Sequence, residues 1–307
     1  MSSRKLARIT NIWSKVVESE SGGLSTKVVI EATDIFKHVV SRVGNDLLLE
    51  STGVAANMPE GSIEVNDGLV REIVLEQTGA GEAVVRIIAE HPYEYSIVET
   101  MGIPARTTVV LGRAFLTDLM KNKRIVIDPG HGGKDWGGKG PVNLVEKNVV
   151  VLIARILADL FNKVEAEVVL TRAGDEDIPV KKRYGLALKE KADLFIGIHT
   201  YSTKNSKVSG ASVRYKSSCG NSRAIAGMIN KELIKKLKVK NRGLKEYPEL
   251  VIPGNIPGVE VEVVTITNWV EEGLLRSPTI HKKAAEGIFI GVKNYFAADG
   301  PLNEVVL

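Results

Sequence analysis

Two histidines and a few carboxylates stand out because each sits where a strand should end or a helix begin. Asp128-Pro129-Gly130-His131-Gly132-Gly133 closes an apolar run at 124–128, Glu146-Lys147 opens a helical pattern, His199 ends a second apolar run at 194–199, and Glu260 and Glu262 fall in a third at 258–263. In open α/β sheets, ligands gather at the carboxyl ends of the strands. Two imidazoles and one carboxylate converging there make the His, His, Glu donor set of a catalytic zinc, with one position left for water. His131, Glu146 and His199 are therefore the expected ligands of a single Zn2+ ion. Zinc lowers the pKa of such a water to about 7, and a nearby carboxylate can take its proton as it attacks a carbonyl. Glu262 is the candidate for that base. Period-2 alternation puts Glu260 on the same face of its strand, and spacing does not choose between the two.

Other residues carry weaker signals. His91 and His281 lie in segments without converging partners, and His38 reads as an ordinary strand residue. Glu146 taken alone would serve equally as a helix-start carboxylate complementing the macrodipole. Gly130-His131-Gly132-Gly133 is no phosphate loop, since no Gly-Lys-Ser/Thr ending follows it. The single cysteine, Cys219, excludes an internal disulfide and a thiolate zinc site, so a metal must rely on His, Asp and Glu.

The elements that must position these residues fall into two halves. From Thr10 to about Arg113, short apolar alternations at 27–32, 46–50, 69–76, 83–89 and 107–111 are separated by polar and glycine-containing turns. That is the pattern of half-buried strands, and an all-β antiparallel sandwich is the expected fold. Beyond about Lys121 strands alternate with helices. The spacing predicts strands at 124–128, 167–171, 194–199, 211–215 and 258–263, and helices at 146–162, 180–189, 223–237 and 279–295. Such alternation implies an α/β domain with a mostly parallel sheet covered by helices. The expected domains are 1–118 and 119–307, closely joined.

With 307 residues, 44% hydrophobic and 25% charged, the chain can bury a core in each half. Its net charge of +4 is spread among interleaved acids and bases, which favours an anionic polymer only weakly. Aromatics are 5% of the chain and do not alternate with basic residues, so nucleic acid is set aside as a partner. No apolar run reaches membrane-spanning length, and Met1-Ser2-Ser3-Arg4-Lys5 is not followed by a signal-like apolar segment.

Ile127-Asp128-Pro129-Gly130-His131-Gly132-Gly133, followed by Asp135, Gly137 and Glu146-Lys147, resembles the opening signature of the zinc-dependent N-acetylmuramoyl-L-alanine amidases of the type 3 family. The similarity continues in order through Leu170-Thr171-Arg172 with Asp175, Arg183 with Ala187, the run 192–199 ending in His199, Arg242-Gly243-Leu244-Lys245, and the run 256–262 with Thr267-Asn268. It covers about 124–297. The resemblance implies one zinc held by His131, Glu146 and His199. Aligned on Pro257 and Asn268, it selects Glu262 over Glu260 as the base. It also implies peptidoglycan as substrate, cut between N-acetylmuramic acid and L-alanine, and an extracytoplasmic place of action in the cell wall or periplasm. The first half is similar, less specifically, to the AMIN domain, through Ala7-Arg8-Ile9-Thr10-Asn11, Gly68-Leu69-Val70-Arg71, Val84-Val85-Arg86-Ile87 and Tyr95. That resemblance implies a wall-targeting β-sandwich.

The chain departs from the amidase pattern at several places. Gly197-Ile198-His199-Thr200-Tyr201 stands where the family usually has Ser-Ile-His-Ala-Asn, Val264-Thr265 where it has Gly-Phe, and Leu188 where it has Asn. Between His199 and Glu262 there is room for one strand and one helix, so an uncovered cleft without a plugging helix is expected. Two alternatives to the amidase remain: a peptidoglycan-binding protein that has lost turnover, and a zinc hydrolase of another peptidoglycan bond, such as a peptidase or deacetylase.

Overall fold

The computed structural model describes residues 6–18, 23–250 and 252–299, so the opening Met1–Lys5 lies outside the described residues. The chain divides into two compact units, Met1–Leu116 and Thr117–Leu307.

Among the described residues the first unit holds ten strands: β1 (Ala7–Glu18), β2 (Leu24–Ala32), β3 (Lys37–Val43), β4 (Asp46–Thr52), β5 (Val54–Ala56), β6 (Gly61–Glu64), β7 (Val70–Gly79), β8 (Glu82–Ala89), β9 (Tyr95–Thr100) and β10 (Ala105–Gly112). They form two five-stranded sheets, β5-β1-β2-β10-β9 and β3-β4-β8-β7-β6. Alternation explains the core. In β8, Ala83, Val85, Ile87 and Ala89 are buried while Glu82 and Arg86 are exposed. Ile9, Val28, Ile30 and Val109 of one sheet and Leu47, Leu49, Ile73, Val85 and Ile87 of the other belong to a single apolar cluster. At its margin the buried Arg113 donates to Thr26 Oγ1 at 2.8 Å and to the Asp67 carbonyl at 2.7 Å, and it pairs with the Asp67 carboxylate at 3.2 Å.

After α1 (Ala114–Met120) come β11 (Arg124–Pro129), α2 (Glu146–Asn162), β12 (Glu167–Leu170), α3 (Val180–Lys189), β13 (Leu194–Tyr201), β14 (Ala211–Tyr215), α4 (Ser222–Leu237), β15 (Asn241–Glu246), β16 (Gly258–Thr265), α5 (Trp269–Leu275) and α6 (Pro278–Asp299). The six strands make one sheet, ordered β12-β11-β13-β16-β14-β15. The expectation of a mostly parallel sheet is corrected here, because the sheet is mixed. β12, β11, β13 and β16 run parallel, but β14 is antiparallel to β16 and β15 follows β14. The cause is the length of one connection. Only residues 202–210 join β13 to β14, without a helix, and a parallel return needs a crossover of a dozen residues or more.

Each face of this sheet has its own role. Ile125, Ile127, Ile196, Ile198, Val259, Val261 and Val213 are buried on one face; α2 and α4 pack against the strands, and α6 packs against both helices. The heptad-like spacing of Val149, Val150, Ile153, Leu157 and Phe161 gives α2 its buried stripe. On the other face, Val126 and Phe195 join Tyr184 and Ala187 of α3 with Leu250, Ile252 and Ile256 in a small core. Two residues further along the same strands, in the same alternation, come Asp128 and Gly197, and then Gly130 and His199. That upper half of the α3 face is where the polar residues collect.

Candidate active site

In-register pairing builds the floor of the site as two rows across the sheet. The deeper row is Asp128, Gly197, Glu260 and Arg214; the row above it contains His199, Glu262 and Ser212. A cavity of about 550 Å3 lies over them, lined among others by His131, Glu146, His199, Tyr184, Arg214 and Glu260.

His131, Glu146 and His199 come together, although 68 positions separate the two histidines in the chain: one ligand atom from each lies within 4.8 Å of the others. Glu146 Oε1 stands 3.3 Å from His131 Nε2 and 3.3 Å from His199 Nδ1. Tetrahedral coordination with bonds of about 2.0–2.1 Å has donor-to-donor edges of about 3.3 Å, so both edges from Glu146 to the imidazoles fit a zinc-sized ion. The carboxylate is fixed independently of the imidazoles. Its Oε1 accepts the Thr200 N–H at 2.7 Å and its Oε2 the Gly138 N–H at 2.6 Å. Asp135 Oδ2 lies 2.8 Å from His131 Nδ1 and turns the other ring nitrogen, Nε2, toward Glu146.

The protonation chemistry follows from this crowding. Burial would raise the Glu146 pKa, but the contacts from both imidazoles hold it well below the usual carboxylate range. Burial would lower His199, yet the Glu146 hydrogen bond and the charges of Glu260, Glu146 and Asp128 push it up to about 9 in the metal-free protein. His131 is raised in the same way, burial being outweighed by Glu146.

The His131 loop is held from below by two buried arginines. Arg172 donates to the carbonyls of Pro129 (2.8 Å), Gly130 (2.7 Å), Lys147 (2.9 Å) and Gly174 (2.6 Å). Arg183 donates to the His131 carbonyl at 2.6 Å and to Asp128 Oδ1 at 2.9 Å. Backbone approach is close enough here to dictate a glycine. A Cβ on Gly130 would stand 2.1 Å from His199 Cε1. The loop leading to Glu146 is anchored by Glu272 of α5, whose carboxylate accepts the N–H groups of Val142 (2.7 Å) and Leu144 (2.9 Å).

The two carboxylates of β16 have different surroundings. Glu262 is 1% exposed and contacts Ser212 Oγ, Arg214 Nη2 and Arg242 Nη1, the last at 3.1 Å. The Arg242 guanidinium in turn lies 3.4 Å from the centroid of the Tyr201 ring. Glu260 lines the cavity, where Tyr184 donates its hydroxyl to Oε1 at 3.2 Å. Burial and this carboxylate together push the Tyr184 phenol up. Arg172, Arg183, Arg214, Ser212 and Glu272 had no assigned role at the level of sequence. Only the Thr-Arg-x-x-Asp strand end and the helix carrying Arg183 marked two of them.

A family model described as N-acetylmuramoyl-L-alanine amidase matches residues 125–294. The chain belongs to the N-acetylmuramoyl-L-alanine amidase family. The protein is 31% identical over 182 residues to the probable cell wall amidase LytH of Staphylococcus epidermidis, a match covering 58% of this chain and 60% of that one. It is 32% identical over 196 residues to the N-acetylmuramoyl-L-alanine amidase LytC of Bacillus subtilis, covering 63% of this chain and 39% of the relative. The crystal structure of an N-acetylmuramoyl-L-alanine amidase from Clostridium difficile 630 superposes with a TM-score of 0.56 at 30% identity, over 59% of this chain and all of that one.

The departures from the family pattern now have places. Val264 and Thr265 are fully buried, and the Thr265 N–H donates to Glu271 at 2.7 Å, so that change lies in packing at the carboxyl end of β16. Leu188 is exposed on α3 and does not line the cavity. Gly197 and Tyr201 border the two β16 carboxylates. Among the described residues, α4 is the single α-helix between His199 and Glu262, where the chain also places both β14 and β15.

Proposed function

We propose that this chain is a zinc-dependent peptidoglycan hydrolase that cleaves the amide between N-acetylmuramic acid and L-alanine. The observation that carries the reading is the His131, Glu146 and His199 donor set, with Glu146 3.3 Å from each imidazole, at a cavity on the carboxyl side of the strands. When bound there, zinc supplies Lewis acidity toward water and toward the scissile carbonyl. The chain's own residues hold the ligands in place before metal arrives. Asp135 sets the tautomer of His131, the amides of Gly138 and Thr200 keep Glu146 aimed, and Arg172 and Arg183 fix the loop between them. A carboxylate of β16 takes the proton of the attacking water and returns it to the leaving nitrogen. The family resemblance assigns that role to Glu262.

The names of the relatives support action on the cell wall, outside the cytoplasm. No helix among the described residues is long and apolar enough to cross a membrane. For residues 1–118 we infer an AMIN-like wall-targeting module. The motifs at Ala7–Asn11, 68–71 and 84–87 and the ten strands described between Ala7 and Gly112 support it.

Digestion of purified peptidoglycan by the zinc-loaded protein, beside a chelated control, tests the reaction. Free stem peptides with new L-alanine amino termini are expected from the loaded protein alone, identified by mass spectrometry. Released acetate, or cuts within the stem peptide, would assign a different bond. An intact wall with zinc bound would leave a binding protein.

A further inference from the structure

Resting on the amidase reading, we propose that Glu260, two residues before the position the family resemblance selects, is the carboxylate that serves the reaction in this chain. Three observations converge on it. The first is access. Glu260 lines the same cavity as His131, Glu146 and His199, whereas Glu262 is not among the lining residues and is sealed by Ser212, Arg214 and Arg242.

The second observation is room. The Glu260 side chain passes over Gly197, where a Cβ would stand 2.9 Å from Glu260 Cγ. A side chain at 197, such as the serine usual in the family, would push Glu260 out of its present path. Gly197 and Glu260 therefore form a matched pair across β13 and β16, which are in register at this point.

The third is the seal itself. Arg242 is stacked on Tyr201, the residue that replaces the usual asparagine, and from there reaches Glu262. Arg214 contacts both carboxylates, closing on Glu262 while standing 3.6 Å from Glu260 Oε2. Thus the two departures, Gly197 on the floor of the site and Tyr201 further along the same strand, do complementary work: one admits Glu260 to the cleft, the other holds the Arg242 that encloses Glu262. Tyr184, whose hydroxyl hydrogen-bonds Glu260, is the positioning residue of the arrangement.

In the reaction, the water oxygen bonds to the lactyl carbonyl carbon as Glu260 accepts one water proton. The carbon–nitrogen bond then breaks, and Glu260 passes that proton to the departing nitrogen. The products are a carboxylic acid on the sugar side and a free amine on L-alanine, with Glu260 again a carboxylate.

The test compares zinc-loaded wild type, Glu260→Gln, Glu262→Gln and Gly197→Ser on a soluble muropeptide, with zinc content and thermal melting measured for each. Loss of a general base removes about 10²–10⁴-fold of rate. Glu260→Gln is expected to lose kcat on that scale at full zinc occupancy and an unchanged melt. Glu262→Gln is expected to lose at least tenfold less, and Gly197→Ser to lose kcat with little change in KM. A second measurement needs neither turnover nor a variant. Carbodiimide coupling of the wild-type protein to a small amine, mapped by mass spectrometry, should label Glu260 and spare Glu262. The proposal is overturned if Glu262→Gln, folded and zinc-loaded, is the inactive variant while Glu260→Gln turns over normally, or if Glu262 is the labelled carboxylate. A zinc-loaded wild type inactive on every peptidoglycan would defeat the amidase reading instead, and the labelling would still decide which carboxylate faces the cleft.

Discussion

Raising the pH from 7 to 9 should weaken the metal-free protein through one residue, His199. Its folded pKa of about 9 lies above the ordinary imidazole value of 6.5, held there against burial by the contact with Glu146. A raised folded pKa means that the folded state binds the proton more tightly, so its contribution is complete below pH 6.5 and is lost as pH rises through 9. For a shift from 6.5 to about 9 the contribution is about 2.5 kcal/mol at pH 7 and about 0.4 kcal/mol at pH 9, a loss of about 2 kcal/mol. Urea titrations of the full chain carrying Trp13→Phe would read this, because the remaining tryptophans, Trp136 and Trp269, both report on the second unit. With zinc bound the imidazoles are already neutral, so the loss should vanish. Glu146→Gln, which removes the hydrogen-bonded carboxylate's charge and leaves those of Glu260 and Asp128, should reduce it in the metal-free protein. A metal-free wild type whose midpoint stays level between pH 7 and 9, or a Glu146→Gln protein that falls just as steeply, would refute the reasoning.

Other outcomes follow from the same geometry. Zinc binding at pH 7 should release at least one proton, since His199, pushed up to about 9, is protonated there; calorimetry in buffers of different ionisation heat counts it, and zinc affinity should rise with pH up to about 9. Gly130→Ala should lower zinc affinity by at least about tenfold while the protein stays folded, because the added methyl occupies the His199 ring; chelator competition measures it. Glu272→Ala should destabilise the second unit by about 2–3 kcal/mol, because the Val142 and Leu144 amides lose a buried acceptor, and it should weaken zinc binding by loosening the loop before Glu146.

Much of this was legible in the residues themselves. Period-2 and period-3.6 patterning located β11, α2, α3, β13, β14, α4, β16 and α6, because each buries a regular stripe that the sequence must spell out. β15 escaped because Asn241–Glu246 is a polar edge strand with Gly243 at φ +81°, leaving no alternation to detect. α5 escaped because its seven residues are too few to show a period, although Asn268 caps it in the usual manner by accepting from Val270 and Glu271. The direction of β14 depends on the length of the connection before it, which patterning of the strand itself does not encode. At the site, the donor set could be read because each ligand ends or begins an element. The environment of the β16 carboxylates could not. Arg214 and Arg242 come from strands paired at long range, and which carboxylate they enclose is decided by register.

Arg172 has a consequence for how the protein breathes. Its guanidinium, 3% exposed as a residue, is shared among the turn after β11, the start of α2 and the loop after β12. Surface loops ordinarily open one at a time, each with a low free energy of its own. Here, lifting any one of the three away would leave part of a buried cation without its acceptors, so the loops are coupled into a single opening unit. Their amides should exchange with solvent together, at a common and slow rate, and nearly as slowly without metal as with it. The ion then enters a mould that is already set, and little of its binding energy is spent on ordering the chain around it.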